Sequence, residues 1–166
     1  INNAFYCCDG LLVYGDGDGR IFTYLAGAFD VVAHEWTHGV TDSSSQLIYQ
    51  DESGALNEAF SDIMAASMEF YYQPVGVGSD RADWQIAEDA LLVAPGYLRS
   101  LNNPSAAGEP DHYNLRNYIG TATDDGGVHF NLTIATHAFY LAVAGGRNRH
   151  SGITVPGVGF TSIERM

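Results

Sequence analysis

The rhythm of apolar and polar positions changes as the chain is followed from its first residue. Near the start, the runs Ala4-Phe5-Tyr6, Leu11-Leu12-Val13-Tyr14 and Ile21-Phe22-Thr23-Tyr24 are short and β-prone, and Gly15-Asp16-Gly17-Asp18-Gly19 splits them. Apolar runs bounded by Gly and Asp predict strands joined by a tight turn. From Asp30, Val31-Val32-Ala33 leads into a helical spacing that fades near Thr41-Asp42-Ser43, with Asp30 as the predicted N-cap. A second helical pattern over residues 53–72 sets Leu56, Phe60, Ile63, Met64 and Met68 on one side and stops near Pro74. Residues 75–83 are Gly-rich and loop-like, and residues 84–128 are mostly irregular. A third helix is predicted over residues 131–144, ending before Gly145-Gly146. Thr161-Ser162-Ile163-Glu164 matches the capping box that opens a helix. A helix start with no helix after it, beside strands too few for a sheet, leads us to expect a fragment of a larger protein.

Composition narrows the function classes. With 46% hydrophobic residues among 166, the chain is long and apolar enough to bury a core. Asp and Glu number 20 against seven basic residues, all Arg, giving a formal charge of −13. Such a surplus argues against nucleic-acid and anionic-membrane partners and suits calcium, although surplus carboxylates usually form a solvated face. No apolar run approaches the roughly 18 residues of a membrane span. The start, Ile1-Asn2-Asn3, lacks an initiator Met and reads as processed or excised. The Asp-Gly alternation at 15–19 lacks the later Glu of an EF-hand and reads as a plain turn. Cys7 and Cys8 are adjacent, where a mutual disulfide is strained, so they settle no redox compartment.

The chemistry concentrates in His34-Glu35-Trp36-Thr37-His38. Four helical residues advance about 400°, so His34 and His38 stack on one face and can grip one metal ion. Glu35 lies one step round, beside the metal's open position, where a carboxylate can take a proton from water without being a ligand. Glu58 follows His38 by 58 − 38 = 20 positions, room for a turn and an antiparallel return. Two His and one Glu, with water fourth, make a catalytic zinc set. Asp62, four residues beyond Glu58, is spaced to accept the second imidazole N–H of a ligand His.

The segment from Val31 to Tyr72 resembles the thermolysin family of secreted zinc endopeptidases. It includes His34 to Asp42, Leu47-Ile48-Tyr49-Gln50 and Glu52-Ser53-Gly54-Ala55-Leu56-Asn57-Glu58. The likeness continues through Asn2-Asn3-Ala4-Phe5 and Tyr14 to Gly19 upstream. Downstream it takes in Leu98-Arg99-Ser100, Pro110-Asp111-His112-Tyr113 and Gly126-Gly127-Val128-His129. The resemblance implies an α+β zincin, with short β segments leading into a central zinc helix and a mainly helical C-terminal half. Residues 1–30 would be the remnant of a β-rich subdomain holding the substrate-binding edge strand. Residues 31–166 would be the zinc-helix subdomain, incomplete at its C-terminus.

Carried over by resemblance, one catalytic Zn2+ is held by His34, His38 and Glu58, with Glu35 as general base. Asp62 orients His34, and Asn57 lends outer support. His129 and Tyr49 donate to the tetrahedral oxyanion, and Asp124 orients His129. Asn3, the Ala4 backbone and Arg99 hold the peptide, while Phe22, Leu25, Val31 and Leu98 wall the pocket for the residue after the scissile bond. Asp30, Glu69, Asp83 and Glu88, with a Gln85 carbonyl, match a paired structural calcium site for one or two Ca2+. This chain departs from the family in a longer stretch between Glu69 and Asp83, a shortened 90–95 segment that removes a further calcium loop, and substitutions at Trp36 and Asp125. His112, His137 and His150 read as structural or surface residues.

The resulting expectation is a secreted zinc endopeptidase cutting on the N-terminal side of bulky hydrophobic residues by zinc-activated water attack. Its partners would be peptide or protein substrates and the remaining segments of the same protease. Two alternatives stay open: an inactive fragment or calcium-stabilised interaction module, and a zinc aminopeptidase, whose Gly-Ala-Met-Glu-Asn signature is missing here.

Overall fold

A computed structural model describes residues 1–7 and 10–160. Cys8 and the capping box at 161–164 lie outside the described residues. Short strands alternate with long helices in an α+β arrangement, in the order β1 (Ala4–Cys7), β2 (Leu11–Tyr14), α1 (Phe29–Ser43), α2 (Asp51–Tyr72), β3 (Gln85–Ile86), β4 (Arg99–Ser100), α3 (Asp124–Ala144), β5 (Gly146–Arg147) and β6 (Thr154–Val155). The chain divides into two compact units, one of Ile1–Leu47 with Phe60–Arg99, the other of Ile48–Ala59 with the chain from Ser100 on. Helix α2 runs unbroken through the point of division.

In the first unit, β1 and β2 form an antiparallel hairpin with Ala4 opposite Tyr14 and Cys7 opposite Leu11. The third strand expected at Ile21–Tyr24 does not form; Phe22 makes only an isolated bridge to Leu91. Asp18 Oδ1 accepts the N–H groups of Arg20 and Ile21 at 2.8 and 2.7 Å, closing a turn just before Phe22. Asp30 is not the N-cap of α1. Ala28 holds that position, and Asp30 sits in the first turn with its carboxylate accepting from the N–H groups of Val31 and Ala87.

The expected apolar stripe on α2 is also corrected. Leu56 and Phe60 are 52% and 41% exposed, whereas Ala55, Ala59, Ser61, Asp62, Ala65, Ala66 and Glu69 are buried. Small residues and three carboxylates, Glu58, Asp62 and Glu69, are buried in place of the largest apolar side chains. Within the first unit, Ala28, Val31, Ala33, Ala65, Ala66, Ile86, Ala87 and Ala90 form a core dominated by small side chains.

In the second unit, α3 begins earlier than the predicted residue 131, but not as a regular helix. Asp125, Gly126 and Gly127 hold φ of 47°, 86° and 79°, so a left-handed turn precedes the right-handed helix. From Val128 onward α3 buries Leu132, Thr133, Thr136 and Val143. Gly54, in the first turns of α2, lies where an added Cβ would meet Val128 Cγ1 at 2.5 Å and the Tyr49 carbonyl carbon at 3.0 Å. Gly54→Ala is therefore expected to destabilise by about 1–3 kcal/mol through overpacking. The gain of about 1 kcal/mol in helix propensity is too small to offset this. Urea denaturation measures the balance, and a stabilised variant would contradict it.

Candidate metal centre and active site

The first unit holds the two histidines expected to bind zinc. Helix α1 stacks His34 over His38, and their Nε2 atoms face each other 3.0 Å apart. Asp62 Oδ1 lies 2.7 Å from His34 Nδ1. The same carboxylate receives Arg99 Nε and Nη2 at 2.7 and 2.8 Å. Burial alone would raise the Asp62 carboxyl, but the Arg99 charge and the hydrogen bonds from His34 and Arg99 outweigh it and hold it below its ordinary range. An ionised Asp62 accepts the Nδ1–H of His34 and leaves Nε2 with its lone pair. Ser61 Oγ stands 3.3 Å from His38 Nδ1. The two inward-facing nitrogens fit a cation between them, since zinc bonds of about 2.0–2.1 Å in tetrahedral geometry put two nitrogens about 3.3 Å apart. Glu35 is buried, and its Oε2 accepts the Tyr6 N–H at 2.9 Å.

A second cluster in this unit joins Asp30, Glu69 and Glu88, each offering an oxygen within 4.8 Å of the others. Both carboxylate oxygens of Glu69 and of Glu88 are buried without a hydrogen-bond partner. Burial, and then the mutual charge of the cluster, pushes Glu69 up to about 9 and Glu88 up to about 8. Burial likewise raises Asp30 to about 6, against the pull of its two backbone donors. Orphaned oxygens in an all-carboxylate set are the donor chemistry of calcium, which takes oxygen ligands at about 2.3–2.6 Å. Asp83 is not in this triad; its Oδ1 accepts the Gln85 N–H at 2.7 Å, and burial raises its carboxyl. Asp89 escaped sequence reasoning, yet its charge adds to the upward shifts of Asp30, Glu69, Asp83 and Glu88.

The second unit holds a cluster of its own. The Tyr49 hydroxyl donates to Glu58 Oε1 and lies 3.1 Å from His129 Nε2. His129 Nε2 is 3.5 Å from Glu58 Oε1, and its Nδ1 is 2.6 Å from Asp124 Oδ1. Burial first, then the Glu58 charge, raises the Tyr49 phenol far above its ordinary value, so it stays a donor. Asp124 Oδ2 also accepts the backbone N–H of His129 at 2.9 Å, tying ring and main chain to one carboxylate.

Of the remaining residues named from sequence, Asn57 is buried on α2, and Phe22, Leu25 and Val31 are buried while Leu98 is 40% exposed. Asn3 and Ala4 lie at the start of β1, exposed and half-buried. Ser61, Asp89 and the Tyr6 amide were missed by sequence reasoning. Only Ser61 carried a signal, three residues beyond Glu58 and next to Asp62.

Two family models match: thermolysin metallopeptidase, catalytic domain, over residues 1–42, and thermolysin metallopeptidase, alpha-helical domain, over residues 45–166. The chain belongs to the thermolysin family of metallopeptidases. Bacillolysin of Bacillus cereus is 49% identical over 162 residues, covering 95% of this chain and 26% of that protein. Thermolysin of Alicyclobacillus acidocaldarius subsp. acidocaldarius is 47% identical over 160 residues, covering 95% of this chain and 27% of that protein. Among solved structures, the precursor of protealysin, a metalloproteinase from Serratia proteamaculans, superposes with TM-score 0.69 at 38% identity. That likeness covers 85% of this chain and 46% of the other. The chain thus spans about a quarter of the length of the curated relatives it matches.

Two outcomes test this geometry. Arg99→Ala leaves a fully buried carboxylate without its cation and is expected to cost about 3–5 kcal/mol of stability, measured by chemical denaturation. Calcium is expected to raise the melting temperature with zinc kept loaded, because a ligand held only by the folded state stabilises it by mass action. Magnesium, with its stricter octahedral shell, should substitute poorly. A melting curve indifferent to calcium and chelator would show that Asp30, Glu69 and Glu88 hold no cation.

Proposed function

We propose that this chain carries the catalytic centre of a zinc endopeptidase that cuts peptide bonds on the N-terminal side of bulky hydrophobic residues and works outside the cell. The observation that carries the reading is the pair of His34 and His38 nitrogens facing each other at 3.0 Å, with Asp62 fixing the first ring. Glu58 is the third proposed ligand. It stands one turn before Asp62 on the continuous helix α2. Zinc bound there supplies a Lewis acid and a water acidic enough to ionise near neutral pH.

The chain's own groups do the rest in this reading. Glu35, one oxygen held by the Tyr6 N–H, takes the water proton on its other oxygen and delivers it to the leaving nitrogen. The Tyr49 hydroxyl and the His129 ring, oriented by Asp124, donate to the oxygen that gains charge. Arg99 and the β1 edge at Asn3 and Ala4 align the substrate as an added strand. Phe22, Leu25, Val31 and Leu98 offer the apolar wall that favours a bulky side chain after the cut. Asp30, Glu69, Asp83 and Glu88, with the Gln85 carbonyl, are proposed to hold one or two structural calcium ions, a device suited to calcium-rich extracellular fluid. Among the described residues no helix is long and apolar enough to cross a membrane.

The test is Glu35→Gln in the full protein. Metal analysis should find zinc retained, while hydrolysis of a peptide with a bulky apolar residue after the cut falls by about 10²–10⁴-fold. Near-parental turnover in the zinc-loaded variant would remove Glu35 from the role of base.

A further inference from the structure

We propose that Asn131 is a positioning residue for His129, holding the left-handed turn that aims the imidazole; the inference rests on the role proposed above for His129. The turn is improbable on its own. Asp124 and Asp125 are not glycines, yet they hold φ of 51° and 47°, and Gly126 and Gly127 continue at 86° and 79°. Four consecutive residues in this region persist only where the surroundings over-determine them.

Asn131 supplies that determination with one buried amide, 5% exposed. Its Oδ1 accepts the Asn117 N–H at 2.9 Å, and its Nδ2 donates to the Asn117 carbonyl at 2.7 Å. The same Nδ2 reaches the Gly126 carbonyl at 3.4 Å, inside the turn itself. A second, independent feature points the same way. A Cβ on Gly127 would lie 2.7 Å from Asn131 Nδ2 and 2.7 Å from the Asn117 carbonyl oxygen, so the turn's backbone is seated directly on the clamp.

What the clamp holds is Asp124. One of its oxygens meets His129 Nδ1 at 2.6 Å, and the other accepts the N–H groups of His129 and Phe130 at 2.9 and 3.3 Å. If the turn relaxes, Asp124 moves, and the Nε2 of His129 leaves its place 3.1 Å from the Tyr49 hydroxyl. Asn131 touches no reacting group in this account. Its effect passes through the turn to the orientation of a donor that matters in the transition state, so it should appear in kcat rather than KM.

The experiment compares Asn131→Ala, Gly127→Ala, His129→Ala and Val143→Ala in the full protein, well below the melting temperature, with zinc content measured for each. Val143 is buried at the far end of the same helix and controls for lost stability alone. Asn131→Ala and Gly127→Ala are expected to lower kcat roughly 10- to 100-fold with zinc retained, the scale of a misplacement of about 1 Å. KM should stay within about twofold, since ground-state binding is untouched. Val143→Ala should lower the melting temperature and leave kcat unchanged. If Asn131→Ala fails to fold, Gly127→Ala reports on the same clamp. A kcat within about threefold of the parent in the folded variants, or an equal loss in Val143→Ala, overturns the positioning role. If His129→Ala itself keeps kcat, the oxyanion reading falls with it; if His129→Ala alone loses kcat, only the role of Asn131 falls.

Discussion

The charge on Asp62 has no exposed surface, and the arrangement around α1 depends on how that charge is answered. Arg99 answers it with two parallel N–H donors, and His34 adds a third hydrogen bond. Together they overcome the desolvation that would otherwise protonate the group. The contrast with Asp30 in the same unit is instructive. Asp30 is as deeply buried but meets only backbone N–H groups and other carboxylates, and it rises to about 6. One arginine separates a carboxylate held below its ordinary range from carboxylates pushed above theirs. That is also why Arg99 belongs to the architecture: its guanidinium links β4 to α2.

Legibility from sequence tracks how local the physics is. His34, Glu35 and His38 could be read because helical geometry alone puts two imidazoles on one face and the carboxylate one step round. Asp62 was readable for the same reason, one turn from Glu58. His129, Tyr49 and Asp124 are far apart in sequence, and only resemblance suggested them. The misreadings come from competition between local and tertiary demands. Asp30 has the chemistry of an N-cap, yet its carboxylate is drawn to Ala87, 57 residues away. Leu56 and Phe60 have the spacing of a core face, but α2 turns its alanines and carboxylates inward instead. Asn131 left no mark at all, because an asparagine that clamps a distant backbone looks like any other asparagine in a helix.

Composition, too, acquires a different meaning once burial is known. A net charge of −13 reads most simply as a solvated acidic surface. Asp30, Glu58, Asp62 and Glu69 are instead almost wholly inside, and Glu88 has both carboxylate oxygens buried. These side chains spend no charge on solubility. Glu58, Asp62 and Glu69 occupy positions on α2 where a protein of this size would ordinarily place leucine and valine. Cohesion there comes from ion pairing, hydrogen bonds and close-packed alanines in place of large apolar contacts.

The hairpin at the start of the chain carries one more implication. Asn3 and Phe5 face β2, as the Gly15 N–H bond to the Asn3 carbonyl and the strand register require, so Ala4 and Tyr6 turn their backbone groups to the opposite edge. Tyr6 has committed its amide on that edge to Glu35. A peptide laid along the same edge would therefore be counted off in steps of two residues from a rung already fixed to Glu35. Under the role proposed for Glu35, the strand would serve as a ruler with that carboxylate as its zero mark: a slip of one residue would present the opposite face of a bound peptide, and only a slip of two would restore it.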